Sequence, residues 1–156
     1  MRVKLLVVGK TTDKYLITGI EDYNKRLKRY CNFEYQVITV ARINKLGNAN
    51  NTKKKEGLLI FTKLEKNDLL VLMDEKGKEY SSKGFSAFLK KHQMIGTRRI
   101  VFLIGGAYGF SEKIYERANA KIALSQMTFT HQMVRLIFTE QLYRAFTITK
   151  GEKYHH

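Results

Sequence analysis

The feature that most constrains this sequence is a series of short, continuous apolar runs separated by segments of helical periodicity. Leu69-Leu70-Val71-Leu72-Met73 and Ile100-Val101-Phe102-Leu103-Ile104 are apolar at every position, and residues 2–8 are nearly so. Successive side chains of a strand point to opposite faces, so a run without polar alternation needs cover on both sides. From about 14 to 30, Leu16, Ile17, Ile20, Tyr23, Leu27 and Tyr30 recur at the three- and four-residue spacing of an amphipathic helix. Phe33 to Val40 alternates and reads as a second strand, and residues 41–52 as a polar loop. Lys53 to Leu64 reads as a helix with Leu58, Leu59 and Phe61 inward, and Asp74 to Lys78 as a turn. Ser81-Ser82 supplies an N-cap for a helix carrying Phe85, Phe88, Leu89 and His92. Ser111 and Glu112 open a short helix, Ile122 to Ser125 is a last strand, and His131 to Phe146 a final helix. Strands alternating with helices predict an α/β fold, a largely parallel sheet with helices on both faces. Without repeats or a Pro/Gly/Ser linker, residues 1–156 form a single domain.

Several classes fall away. No apolar run approaches the ~18 residues needed to cross a bilayer. The apolar start of the chain ends at Gly9, too short for a secretory signal and without a small-residue cleavage site. The single cysteine, Cys31, cannot form an intramolecular disulfide, and no Cys/His cluster has zinc-ligand spacing. The expectation is a cytoplasmic protein with no membrane and no metal. Its 29 Lys and Arg against 14 Asp and Glu leave a net charge of +15. That excess is clustered, at 25–29, at Lys53-Lys54-Lys55, and at Lys90-Lys91 with Arg98-Arg99. Clustered cations favour a polyanion, since each phosphate contact releases condensed counterions. The clusters lack the bulky apolar face of a membrane-surface helix, which leaves RNA as the expected partner.

In open α/β sheets, ligands settle beyond the carboxyl ends of the strands. Three segments fall there: 73–77, 104–110 and 124–131. Glycines directly after a buried strand let backbone amides approach a ligand, yet a Gly-Gly pair is as often a plain tight turn. Gly105, Gly106 and Gly109 do not match G-x-G-x-x-G, and no G-K-[ST] follows, so dinucleotide and P-loop readings fail on spacing.

The last helix is unusual. At 100° per residue, His131, Arg135, Phe138 and Leu142 form one stripe, while Met133, Ile137, Glu140 and Arg144 lie roughly opposite. A helix apolar nearly all round is covered on several sides, and in a chain this small the natural second cover is another subunit. Glu140 and Arg144 are placed to satisfy each other at i, i+4. His131 opens the helix as a capping or surface histidine, or as a site residue. Arg135 has no local acid, and beside a ligand crevice it suits phosphate or a developing anion. Tyr154 and His155 either end a disordered tail or stack on a splayed base.

Taken in order, these segments carry a resemblance. The strand ending in Ile104-Gly105-Gly106 with Gly109 and Phe110, then Leu124-Ser125-Gln126-Met127-Thr128-Phe129-x-His131-Gln132-Met133-x-Arg135, then Glu140-Gln141-Leu142-Tyr143-Arg144-Ala145-Phe146 and Tyr154-His155 resemble the ribosomal RNA large subunit methyltransferase H family. Val7-x-Gly9-Lys10 and Tyr23-x-x-Arg26-Leu27 fit as well, so the resemblance spans essentially the whole chain.

The resemblance implies a SPOUT-type α/β knot, whose C-terminal part is threaded as a trefoil, against the general rule that chains avoid knots. It implies a homodimer that transfers a methyl group from S-adenosyl-L-methionine to N3 of a pseudouridine in 23S rRNA, with the assembled ribosome as preferred substrate. It implies cofactor contacts from Met73, Gly105 and the stretch Leu124, Ser125, Gln126, Met127, Thr128 and Phe129. His131, Arg135 and His155 match catalytic positions, and Arg144 and Tyr154 substrate-binding ones, with the tail reaching across the dimer. The family usually has proline where this chain has Thr130; there is no proline anywhere in the sequence.

Overall fold

The computed structural model describes residues 1–40 and 48–155. Five strands, β1 (Arg2–Val8), β2 (Asn32–Ile38), β3 (Leu69–Glu79), β4 (Arg99–Ile104) and β5 (Ala120–Ala123), form one parallel sheet in the order β2-β1-β4-β3-β5. Five helices connect and cover it: α1 (Lys14–Leu27), α2 (Ala49–Phe61), α3 (Ser82–Met94), α4 (Glu112–Arg117) and α5 (Met133–Lys150).

The continuous apolar runs split by parity into two cores. Val3, Leu5, Val7, Val71, Met73, Ile100, Phe102 and Ile104 face α1, α3 and α5, meeting Leu27, Phe85, Leu89, Phe138 and Leu142. Leu6, Val8, Leu70, Leu72, Val101 and Leu103 face the other way, against Ile60 of α2 and Ile114 of α4. Each strand is thus covered on both faces, as expected of a parallel sheet. The Phe102 and Phe138 rings, 4.8 Å apart, join β4 to α5. Gly19 lets α1 close on α5, since a Cβ there would stand 2.8 Å from Leu136 Cδ1.

The helix starts follow capping chemistry. Asn48 accepts from the Asn51 amide at 2.9 Å and Ser81 from the Gly84 amide at 3.1 Å. α5 ends at Gly151, whose φ of 70° is a left-handed cap.

Four sequence expectations are corrected. The expected loop at 41–52 already turns helical at Ala49, because Asn48 caps the helix; residues 41–47 lie outside the described residues. Residues 74–78 are not a simple turn. β3 runs on to Glu79, and Ile122 of β5 pairs first with Met73 and then with Lys78 across a register shift. Gly77 makes this possible, since a Cβ there would lie 2.5 Å from the Ile122 backbone nitrogen. On α2, Leu58, Leu59 and Phe61 are exposed, and Glu56, Gly57 and Ile60 turn in. Arg99 leaves the basic surface cluster: it is buried, with Nε and Nη2 on the two carboxylate oxygens of Asp68 at 2.6 and 2.5 Å.

Candidate active site

β4, β3 and β5 are neighbours and parallel, so their carboxyl ends share one edge. The segments leaving them frame a cleft of about 660 Å³. Met73 contributes from β3, and Gly105 from the end of β4. The segment after β5 contributes Leu124, Ser125, Met127, Thr128, Phe129 and His131. Gln126 is not among the lining residues, unlike its five partners in the expected cofactor stretch.

Local hydrogen bonds shape the segment after β5. Ser125 Oγ accepts from the Met127 amide at 2.9 Å, and Thr130 Oγ1 accepts from the Met133 amide at 3.2 Å. Thr130 therefore gives the first turn of α5 a side-chain acceptor that a proline would lack. Gln132 Oε1 accepts from both the amide and the hydroxyl of Thr12, at 2.9 and 3.1 Å, tying the loop after β1 to the same place.

One rim of the cleft is acidic. Asp74 accepts from the Tyr115 hydroxyl at 2.5 Å and from the Lys76 amide at 2.8 Å. Glu75 reaches Thr128 Oγ1 at 3.4 Å, bridging the segments after β3 and β5. Burial, then the Asp74 carboxylate, push the Tyr115 phenol up and keep it a proton donor. Sequence reasoning puts Asp74 and Glu75 in the candidate segment 73–77 without giving either a role, and misses Tyr115 as a cleft residue. The signal for the two acids is their position directly after Met73 at a strand end.

His131 lines the cleft, half-buried. Burial, then the Arg135 charge, hold its imidazole below the ordinary histidine range, so it is neutral at pH 7 and able to accept a proton.

Arg135 lies elsewhere than expected. It is 0% exposed and does not line the cleft. Nη2 donates to the Val8 carbonyl at 2.7 Å, Nη1 to the Gly9 carbonyl and Thr11 Oγ1 at 2.9 Å, and Nε to the His131 carbonyl at 3.2 Å. Its donors are directed to main chain and a hydroxyl, and no anion is needed to balance their hydrogen bonding.

Arg144 and Tyr154 meet at the far end of α5, roughly 14 Å along the helix from Arg135 at ~1.5 Å per residue. Glu140 Oε1 accepts from Arg144 Nη2 at 2.6 Å, Arg144 Nε at 3.0 Å and the Tyr154 hydroxyl at 3.1 Å. The Arg144 guanidinium stands 4.8 Å from the Tyr154 ring centroid, and the Tyr143 ring meets Tyr154 edge-on at 4.8 Å. Tyr30 donates to Glu152 at 2.5 Å, and the Tyr23 and Tyr154 hydroxyls are 3.2 Å apart. This aromatic bed docks the tail through Glu152 and Tyr154, and His155 beside them is half-buried. Within one chain, then, His131 joins the cleft, while Arg144, Tyr154 and His155 collect at the opposite end of α5.

Among the described residues, no group of three His, Cys, Asp or Glu side chains is placed to hold a metal ion, and no helix is long and apolar enough to cross a membrane.

Comparison with known proteins matches this geometry to a family. The family model described as "Predicted SPOUT methyltransferase" matches residues 1–155. A protein of Christiangramia forsetii named Ribosomal RNA large subunit methyltransferase H is 51% identical over 156 residues, covering 100% of this chain and 99% of its own length. A protein of the same name from Cytophaga hutchinsonii is also 51% identical, with 100% of both chains covered. Among solved structures, a probable methylase family protein from Haemophilus influenzae shares the fold, with a TM-score of 0.57 at 8% identity, covering 99% of this chain and 70% of that one.

Proposed function

Since this chain belongs to the SPOUT methyltransferase family, we propose that it methylates N3 of a pseudouridine in 23S rRNA, on the assembled ribosome, as a cytoplasmic homodimer. The enzyme is an S-adenosyl-L-methionine-dependent methyltransferase. The rRNA target is supported by relatives of that name aligned over their whole length. The observation that carries the reading is the cleft in which the Gly105 loop faces the Leu124–His131 segment.

The residues present fit the cofactor. Gly105 and Gly106 present bare backbone to the cleft, and the space a Cβ would take is already filled: on Gly105 by the Phe110 ring at 2.9 Å, on Gly106 by the Glu56 carboxylate at 2.9 Å. Met73, Leu124 and Phe129 offer apolar contact for a purine, and Asp74 and Glu75 put negative charge on a rim that would favour a positively charged cofactor. When bound, S-adenosyl-L-methionine supplies a methyl group on a positively charged sulfur.

The chain's own residues then bind, align and handle the proton. Positioning carries much of such a transfer, because the nitrogen must approach the methyl in line with the departing sulfur. The N3–H must lose its proton first. His131, neutral and at the cleft, is the general base in this proposal. Arg135 is a positioning residue that clamps the loop after β1 to the first turn of α5. In the dimer, the half-buried face of α5 that carries Met133 and Ile137 meets its counterpart. The partner's α5 and tail bring the positions of Arg144, Tyr154 and His155 to the target base. Threading of the C-terminal part as a trefoil knot belongs to the same proposal.

The test is titration calorimetry with S-adenosyl-L-methionine, followed by tritium-methyl transfer onto 70S ribosomes from cells lacking this protein. Cofactor binding with label in 23S rRNA is expected. Binding without ribosomal label points to another RNA, such as a tRNA, and absence of binding removes the methyltransferase reading.

A further inference from the structure

We infer that the groove between α2 and the start of α4 is an RNA-docking surface that holds an rRNA strand beside the cleft; this rests on the rRNA reading above. Sequence periodicity puts Leu58 and Phe61 in the core, yet they are 68% and 38% exposed. They border a cavity of about 870 Å³ together with Asn50, Lys53 and Lys54 of α2 and Lys113 of α4. Glu112 is the single acidic residue in that lining.

The chemistry fits a nucleic-acid strand better than a protein surface. Three ammonium groups lining one groove favour a polyanion, which they bind with counterion release. An exposed phenylalanine ring among lysines offers a stacking face for an unpaired base, whatever its identity. Leu58 adds apolar contact, and Asn50 can donate to and accept from a base edge. An apolar protein partner has no use for three lysines lining the same groove.

The groove is also fixed relative to the cleft. A Cβ on Gly57 would lie 2.7 Å from Ser111 Oγ, and one on Gly106 would lie 2.9 Å from Glu56 Oε1. Both helical positions therefore press α2 directly against the 106–111 segment. The front of that segment lines the cofactor cleft, and its end lines the groove. A strand seated in the groove is separated from the methyl-transfer site by the thickness of one loop.

The test compares full-length wild type, the triple variant K53Q/K54Q/K113Q and the variant Phe61→Ala. A control variant, K66Q/K83Q, removes charge from two exposed lysines that belong to no basic cluster and line neither the groove nor the cleft. Glutamine keeps much of the lysine stem at these surface positions, so folding is preserved; Phe61→Leu serves if the alanine variant is unstable. Two quantities are read for each: binding of 70S ribosomes lacking the modification across a KCl series, and kcat and KM for methylating them. The triple variant is expected to raise KM about tenfold or more and to flatten the salt dependence, with kcat at saturation and S-adenosyl-L-methionine affinity held within about twofold. Phe61→Ala raises KM without changing the salt slope. The inference is overturned if the triple variant keeps wild-type KM and salt slope, or if K66Q/K83Q shifts them equally. Wild type that binds no ribosomes overturns the groove and the ribosomal target together. Wild type that binds without methylating sinks only the target reading, and the binding series still decides the groove.

Discussion

The guanidinium of Arg135, wholly buried in α5, donates a 2.7 Å hydrogen bond to the carbonyl of Val8, the last residue of β1. Further bonds to Gly9 and Thr11 make one side chain the joint between the central sheet and the turn that carries His131. Replacement by methionine takes this donor from three acceptors, the buried Val8 carbonyl and the half-buried Gly9 carbonyl and Thr11 hydroxyl. Each such orphan costs about 1–3 kcal/mol, so Arg135→Met is expected to lose about 3 kcal/mol or more in urea unfolding. Lysine, a single point charge, cannot reach all three acceptors and recovers only part of the loss. A cost below about 1 kcal/mol contradicts the clamp.

His131 sets a pH dependence. Its imidazole titrates below the ordinary 6.5, so the proton-accepting form dominates above that value. The rate constant kcat/KM for methylation rises with pH through an apparent pKa below 6.5 and is level on the neutral side. The same shift makes its contribution to folding present above about 6.5 and lost as pH falls, because the unfolded chain takes up the proton more readily. His131→Gln removes the acid limb and slows transfer by roughly 10²–10⁴. An acid limb that survives in that variant excludes His131 as the base.

The tail bed predicts a separation of functions. Tyr154→Phe removes one of three donors to Glu140 Oε1 and costs about 1 kcal/mol of stability. Because Tyr154 does not line this chain's cleft, S-adenosyl-L-methionine affinity by calorimetry stays within about twofold, while methylation of ribosomes falls. Equal losses in both contradict the assignment of the tail to the target base.

Acid stability rests on Asp68 and Arg99. Burial pushes the Asp68 carboxyl up, but the paired Arg99 hydrogen bonds and charge outweigh it and hold it below the ordinary 3.8. A depressed carboxyl stabilises the fold above its unfolded pKa and loses that contribution as pH falls through the folded value. Thermal unfolding of wild type therefore drops below about pH 4. Asp68→Asn, which leaves the buried guanidinium with the Glu65 carboxylate at 2.9 Å as its remaining ion-pair partner, costs about 1–3 kcal/mol at neutral pH and flattens this acid dependence.

Gly77 has no freedom to grow. A methyl group there meets the Ile122 backbone at 2.5 Å, and backbone cannot step aside as a side chain can. Gly77→Ala is expected to cost about 3 kcal/mol in chemical denaturation, the upper part of the overpacking range.

Much of the fold and of the cleft is legible in the amino-acid sequence. The unbroken runs at 69–73 and 100–104 mark strands covered on both faces, and their parity split assigns the two cores directly. The alternation of elements puts Met73, Gly105 and 124–129 at strand ends, the family resemblance names them, and all but Gln126 line one cleft. The Glu140–Arg144 pair follows from i, i+4 spacing. The misses share one cause: they depend on distant contacts. Arg135 looks available for an anion because its partners, Val8, Gly9 and Thr11, lie more than a hundred residues away. The outward turn of Leu58 and Phe61 comes from Glu56 and Gly57 lying against the 106–111 segment, which no local periodicity encodes. The continuation of β3 past Met73 depends on β5 pairing with it twice.

The most direct test is to incubate the purified protein with tritiated S-adenosyl-L-methionine and 70S ribosomes from cells lacking it, then map the labelled nucleotide in 23S rRNA by mass spectrometry. The account predicts one labelled pseudouridine carrying its methyl on N3, with an initial rate of labelling roughly 10²–10⁴-fold lower for His131→Gln. Label confined to another RNA, or to another atom of the base, would contradict it.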